Sequence, residues 1–134
     1  MKTGMTSVTF RGKSVEEVVS ITKEANLTGI EWGGDVHVPA GDLPAAEKAA
    51  ALCREAGLSV LSYGSYFHAD EGEDFSPVLA SAKALGAPVI RIWAGRKTYE
   101  ESTPEEFSAL ASRIREAAKA AAEAGIRVGF EFHR

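Results

Sequence analysis

The sequence predicts an α/β fold of parallel strands joined by helices. Three observations carry that reading. Short apolar runs alternate with longer stretches whose apolar residues recur at helical spacing. A glycine joint recurs where a helix gives way to a strand: Glu55-Ala56-Gly57-Leu58-Ser59-Val60 and Glu123-Ala124-Gly125-Ile126-Arg127-Val128 are near copies, and Ala84-Leu85-Gly86-Ala87-Pro88-Val89 is a looser one. Strand–helix alternation at this spacing needs right-handed crossovers between parallel strands.

The elements follow in order. Met5–Phe10 reads as the first strand. Ser14 then caps a helix, with Glu17 placed to complete a capping box. Val15, Val18 and Val19 begin its apolar stripe, which Ile21 and Ala25 extend. Gly29-Ile30-Glu31-Trp32 is a short second strand, and a Gly-, Asp- and Pro-rich loop runs from Gly33 to Pro44. An Ala-rich helix from Ala45 to Ala56 stops at Gly57, a residue suited to the left-handed cap. Leu58–Tyr63 is the third strand. A loop, Gly64–Asp74, leads to a helix ending near Gly86, and Pro88–Trp93 is the fourth strand. Thr103-Pro104-Glu105-Glu106 starts the last helix, with an N-cap, a proline in the first turn and a carboxylate reaching back. That helix runs to Gly125, and Ile126–Phe132 is the fifth strand.

Composition narrows the function classes. At 134 residues, with no linker or low-complexity stretch, residues 1–134 read as a single domain. Hydrophobic residues make up 45% and charged residues 25%, the balance of an ordinary globular chain. A net charge of −4 argues against nucleic acid, whose phosphates need a basic face. No apolar stretch is long enough for a membrane span, and the start lacks a signal-peptide pattern. The lone Cys53 has no disulfide partner and reads as a small buried hydrophobe, consistent with a cytoplasmic protein.

Two architectures fit five strands and four helices: an open doubly wound sheet of flavodoxin type, or about half of a TIM barrel, whose usual length is ~250 residues. The strands favour the barrel. A doubly wound sheet is covered on both faces and its strands tend to be apolar throughout. Here they alternate. Ile90 and Ile92 oppose Arg91 and Trp93, Phe130 and Phe132 oppose Glu131 and His133, and Ile30 and Trp32 oppose Glu31. One face suits packing on helices. The other gathers Glu31, Arg91, Glu131 and His133 near the C-terminal strand ends, as a catalytic lumen would. No glycine-rich phosphate loop follows the first strand.

Inward charges need partners, because an unpaired buried charge is costly. Arg91 therefore meets Glu131 or Glu31, or awaits an anionic substrate. Asp35 and His37 lie on the loop after the second strand, where they either contact a ligand hydroxyl or serve turn chemistry. His68, with Tyr63, Tyr66 and Phe67 beside it, suits a sugar ring; the alternative is a loop closing over the core edge. Trp93 is a pocket wall or a packing residue. His133 shares the face of Glu131, or ends the chain in solvent.

Four stretches together resemble the xylose isomerase-like TIM-barrel superfamily of sugar isomerases and epimerases. They are Gly29-Ile30-Glu31-Trp32 with Asp35-Val36-His37, then Tyr66-Phe67-His68, then Val89-Ile90-Arg91-Ile92-Trp93-Ala94-Gly95, then Gly129-Phe130-Glu131-Phe132-His133. The resemblance spans nearly the whole chain and about the first half of the family's barrel. It implies sugar or sugar-phosphate isomerisation or epimerisation by metal-assisted enediolate chemistry. It implies a divalent metal, Mn, Mg or Zn, in the complete site. Glu131 matches the family's first metal ligand; the other ligands would come from later strands, and this chain supplies none of them. Glu31 and Glu131 take the catalytic roles, and His37, His68, Arg91, Trp93 and His133 the substrate-binding ones. The expected small-molecule partner is a sugar or polyol. The competing expectation is a catalytically incomplete half-barrel that dimerises with a second copy and acts as a structural or polyol-binding module.

Overall fold

The structure, a computed structural model, describes residues 2–131. Its elements run β1 (Gly4–Thr6), α1 (Val15–Glu24), β2 (Gly29–Gly33), α2 (Leu43–Ala56), β3 (Ser59–Gly64), α3 (Ser76–Leu85), β4 (Val89–Ile92), α4 (Pro104–Glu123) and β5 (Arg127–Phe130). The strands pair in the order β1-β2-β3-β4-β5, and every pair is parallel. A doubly wound sheet reverses its strand order at a switch point. No reversal occurs here. Successive helices also lie against each other, α1 on α2 and α2 on α3, so the chain winds in one sense. This is a partial (β/α) barrel.

The apolar layer lies between sheet and helices. Ile30 and Trp32 of β2, Tyr63 of β3, and Ile90 and Ile92 of β4 are fully buried there. Ala46 and Ala49 of α2, Ala82 of α3 and Ala121 of α4 meet them, and side chains this small let the helices sit close to the sheet. Cys53 is buried in the same layer, and burial pushes its thiol pKa up. Tyr63 donates its hydroxyl to the Val38 carbonyl at 2.8 Å, and burial pushes its phenol up to about 12.

The helix ends form as the sequence indicates. Ser14 and Glu17 complete a capping box on α1, and Thr103 and Glu106 complete one on α4. Gly57 and Gly86 close α2 and α3 at φ 72° and 68°, in the left-handed region that favours glycine. The N–H after each of these glycines reaches back into the last turn: Leu58 to the Cys53 carbonyl and Ala87 to that of Ala82. Asn26, at φ 55°, does the same work after α1, with Leu27 N–H on the Thr22 carbonyl.

Two boundaries and the cover of one residue differ from the sequence expectation. β1 stops at Thr6, and Ser7–Phe10 form a 3-10 turn, not the rest of a strand. The turn lets Ser7 point inward, where its hydroxyl accepts the Gly33 N–H at 2.9 Å. α2 starts at Leu43 because Asp42 caps it, accepting the Ala45 N–H. Phe130 pairs in register with the buried Ile92, yet it is 50% exposed, since no described helix follows β5 to cover it. Phe132 and His133 lie outside the described residues.

Candidate active site

The lumen face is polar, and Arg91 stands at its centre. β4 aims the side chain inward because its neighbours Ile90 and Ile92 take the helix side. The Arg91 Nε lies 2.9 Å from Glu131 Oε2, and Nη2 lies 3.8 Å from Glu31 Oε1. Nη1 donates to the Ser65 carbonyl at 3.2 Å. The guanidinium also sits 4.9 Å from the Trp93 ring centroid and 5.6 Å from that of Tyr66. Exposure falls toward the centre: 46% for Glu131, 26% for Glu31 and 13% for Arg91. Glu31 is further fixed by the Ser62 hydroxyl, which donates to Oε2 at 2.6 Å.

Backbone space makes this cluster possible. Gly64 pairs with Arg91 across β3 and β4. A Cβ at Gly64 would stand 2.8 Å from Arg91 Nη2 and 3.0 Å from Glu31 Oε1. The absence of a side chain there is what admits the charge pair. Below it, Leu61 fills the lumen floor over Gly4 and Gly29.

Around the mouth, the loops carry a second ring of groups. Arg11 forms an ion pair with Asp35 and donates to the Tyr66 hydroxyl at 2.9 Å. Tyr66, Trp93 and His68 form a row, with centroids 6.4 Å apart for the first pair and 6.2 Å for the second. The His68 and Trp93 rings are stacked, 15° from parallel.

His37 sits elsewhere. Its ring packs edge-on against the buried Trp32, on the helix side of the sheet. Nε2 lies 3.0 Å from the Lys13 carbonyl, which can only accept, so Nε2 carries the proton. Nδ1 then accepts from the Ser7 hydroxyl at 3.0 Å. Both nitrogens are used inside the fold. The structure thus brings Glu31, Arg91, Glu131, Trp93 and His68 into one neighbourhood and puts His37 into a support beneath it. His133 lies outside the described residues.

A metal at Glu131 would need further ligands. Among the described residues, the one grouping of three candidate ligands is His68, Asp70 and Glu73, with ligand atoms within 4.8 Å of one another. Their donor types suit a metal, but they are already engaged. Arg96 Nε lies 2.8 Å from Asp70 Oδ2, and its Nη2 lies 3.6 Å from Glu73 Oε1. Glu73 Oε2 accepts the backbone N–H groups of His68 and Asp70. The described residues therefore do not complete a metal site around Glu131.

Sequence reasoning missed Ser62, Ser65, Gly64 and Arg11. Ser62 was hidden by an irregularity in the β2–β3 register, where Ile30 pairs with Val60 but Glu31 pairs with Ser62. Strict alternation puts Val60 and Ser62 on one face; the bulge turns Ser62 to the lumen.

Comparison with known proteins agrees with this geometry. The probable 3-DHS dehydratase AsbF of Bacillus anthracis, involved in petrobactin synthesis, superposes with a TM-score of 0.81 at 21% identity, over 99% of this chain and 53% of its own. The 3-keto-D-glucoside 4-epimerase YcjR of E. coli gives 0.72 at 19% identity, over 97% and 55%. The IolI protein, solved with a zinc atom, gives 0.76 at 15% identity, over 98% and 51%. This chain thus spans about half the length of these structures. No curated protein sequence matches it. The model of the xylose isomerase-like TIM barrel matches residues 19–134. The chain belongs to that family. No described helix is long and apolar enough to cross a membrane.

Proposed function

We propose that the chain forms the first half of the active site of a cytoplasmic sugar or polyol isomerase or epimerase working by metal-assisted enediolate chemistry. The observation that carries this reading is the convergence of two carboxylates on one arginine at the C-terminal strand ends, where barrel enzymes place their chemistry. Family membership and the neighbouring epimerase and dehydratase structures support it. A divalent metal held in part by Glu131 would supply Lewis-acid polarisation of the substrate carbonyl.

The chain's own residues set up the rest. Glu31, locked by Ser62, presents Oε1 to the lumen and is placed to take a proton from a substrate carbon and return it. Arg91 spaces Glu31 from Glu131 and keeps both pointed inward. Tyr66, Trp93 and His68 line the side on which a sugar ring would rest. His37 is a positioning residue, tying the turn after β1 to the loop after β2.

The test is hydrogen exchange at carbon. Incubated in D2O with Mn²⁺ and a panel of aldoses, ketoses and cyclic polyols oxidised to the ketone at one carbon, the protein should wash deuterium into the position next to the carbonyl of one of them. Glu31→Gln should slow that exchange by about 10²–10⁴. If no member of the panel exchanges, the enzymatic reading fails. A second reading then stands: a half-barrel that binds polyols or plays a structural part as a homodimer. The half-exposed Phe130 on β5 favours it.

A further inference from the structure

We infer that His68, Asp70 and Glu73, on the loop after β3, form a site for one divalent transition-metal ion, separate from Glu131, and that the Arg96 guanidinium holds the ion's place. The inference goes beyond the sugar-site reading and stands without it.

The donor set is compact. Residues 68–73 supply an imidazole and two carboxylates in a His-x-Asp-x-x-Glu spacing, and one ligand atom from each lies within 4.8 Å of the others. The backbone makes this convergence. Ala69 turns the chain at φ 58°, Gly72 turns it again at φ 81°, and the Glu73 N–H closes on the Asp70 carbonyl at 3.2 Å. The same loop then aims the Glu73 carboxylate. Its Oε2 accepts the N–H groups of His68 at 2.9 Å and of Asp70 at 3.0 Å. Fixing Oε2 fixes Oε1, which is how outer hydrogen bonds orient a metal ligand.

Two donor atoms face each other across a gap. His68 Nδ1 is buried and has no hydrogen-bond partner among the described residues, and its side chain is only 15% exposed. A buried ring nitrogen left in that state is costly. Glu73 Oε1 lies 3.7 Å from it, too far for a hydrogen bond. Two donors ~2.1 Å from one ion at a tetrahedral angle stand ~3.4 Å apart, so a small relaxation seats an ion between them.

A cation already sits on the acidic side of the gap. Arg96 Nε lies 2.8 Å from Asp70 Oδ2, and its Nη2 lies 3.6 Å from Glu73 Oε1. Only the first is short enough for a hydrogen bond, and the Arg96 side chain is 63% exposed. So solvated an ion pair is weak, and an ion that coordinates all three donors can displace it. An imidazole beside two carboxylates suits zinc or manganese better than calcium or magnesium, which favour oxygen throughout. Three protein donors leave the remaining coordination to water.

Isothermal titration of the whole chain with Zn²⁺, and the visible absorption of Co²⁺ in its place, test this. Glu131→Gln serves as the background, so that the lumen carboxylate contributes nothing. One equivalent should bind. His68→Ala, Asp70→Asn and Glu73→Gln should each weaken binding by about tenfold or more. Glu73→Gln keeps an oxygen for the two amides, so it removes the ligand without unmaking the loop, and circular dichroism checks the fold of every variant. Arg96→Met, which removes the competing cation, should tighten binding severalfold. Failure to bind, or binding that the three ligand substitutions leave unchanged, overturns the inference. So does an Arg96→Met affinity no tighter than that of the background. Each outcome leaves the sugar-site reading where it stands.

Discussion

Arg91 shows how one side chain can be over-determined. Two carboxylates, a backbone carbonyl and two aromatic rings hold the same guanidinium. Alternation along β4 was enough to place Arg91 on the lumen face, with Glu131, Glu31 or an anionic substrate as its alternative partners; the structure shows both carboxylates. Gly64 was not legible, because a glycine in a strand signals a close approach without saying whose. The structure names it, and the consequence is measurable. Gly64→Ala should push Arg91 off Glu31 and cost about 1–3 kcal/mol, as overpacking does. Urea denaturation checks it, and a loss below a few tenths of a kcal/mol would mean that the pair has room to spare. His37 shows the opposite limit. An Asp-x-His sequence on a barrel loop looks functional, yet nothing local reveals that a turn after β1 brings Ser7 and Lys13 to both imidazole nitrogens.

At the scale of elements, the signals were strongest where local chemistry decides. Thr103 and Glu106 close a reciprocal box, with the Glu106 N–H on the Thr103 hydroxyl at 3.2 Å and the Thr103 N–H on Glu106 Oε2 at 3.0 Å. Thr103→Ala should cost about 1 kcal/mol, read from the thermal midpoint. The box has a pH signature too. The Lys97 ammonium first, and the Thr103 backbone N–H second, hold the Glu106 carboxyl below its ordinary 4.5. A depressed folded value means that this contribution is whole above pH 4.5 and is lost as pH falls through the folded value. The wild type should therefore lose more stability on acidification below 4.5 than Glu106→Gln does, since that variant has no carboxylate to protonate. Parallel loss in both would remove the box from the acid response. Boundaries set by long-range contacts were not legible. β1 ends early because Ser7 is required inside, and the β2–β3 slip depends on packing over Gly4 and Gly29 that no local pattern encodes.

At the scale of the molecule, the alternating faces separated a barrel wall from a two-sided sheet, and the uninterrupted strand order bears that choice out. The exposed Phe130 marks where the described wall is least covered. If two copies complete each other, light scattering after size exclusion should give twice the chain mass, and Phe130→Glu should return it to a monomer. A monomer at all concentrations would dispose of the dimer reading.

The same strand order bears on how the chain is made. Each strand docks on the one synthesised just before it, so no pairing waits for a distant segment, and loop closures stay short. Each βα unit can thus settle onto its predecessor while the ribosome is still extending the next.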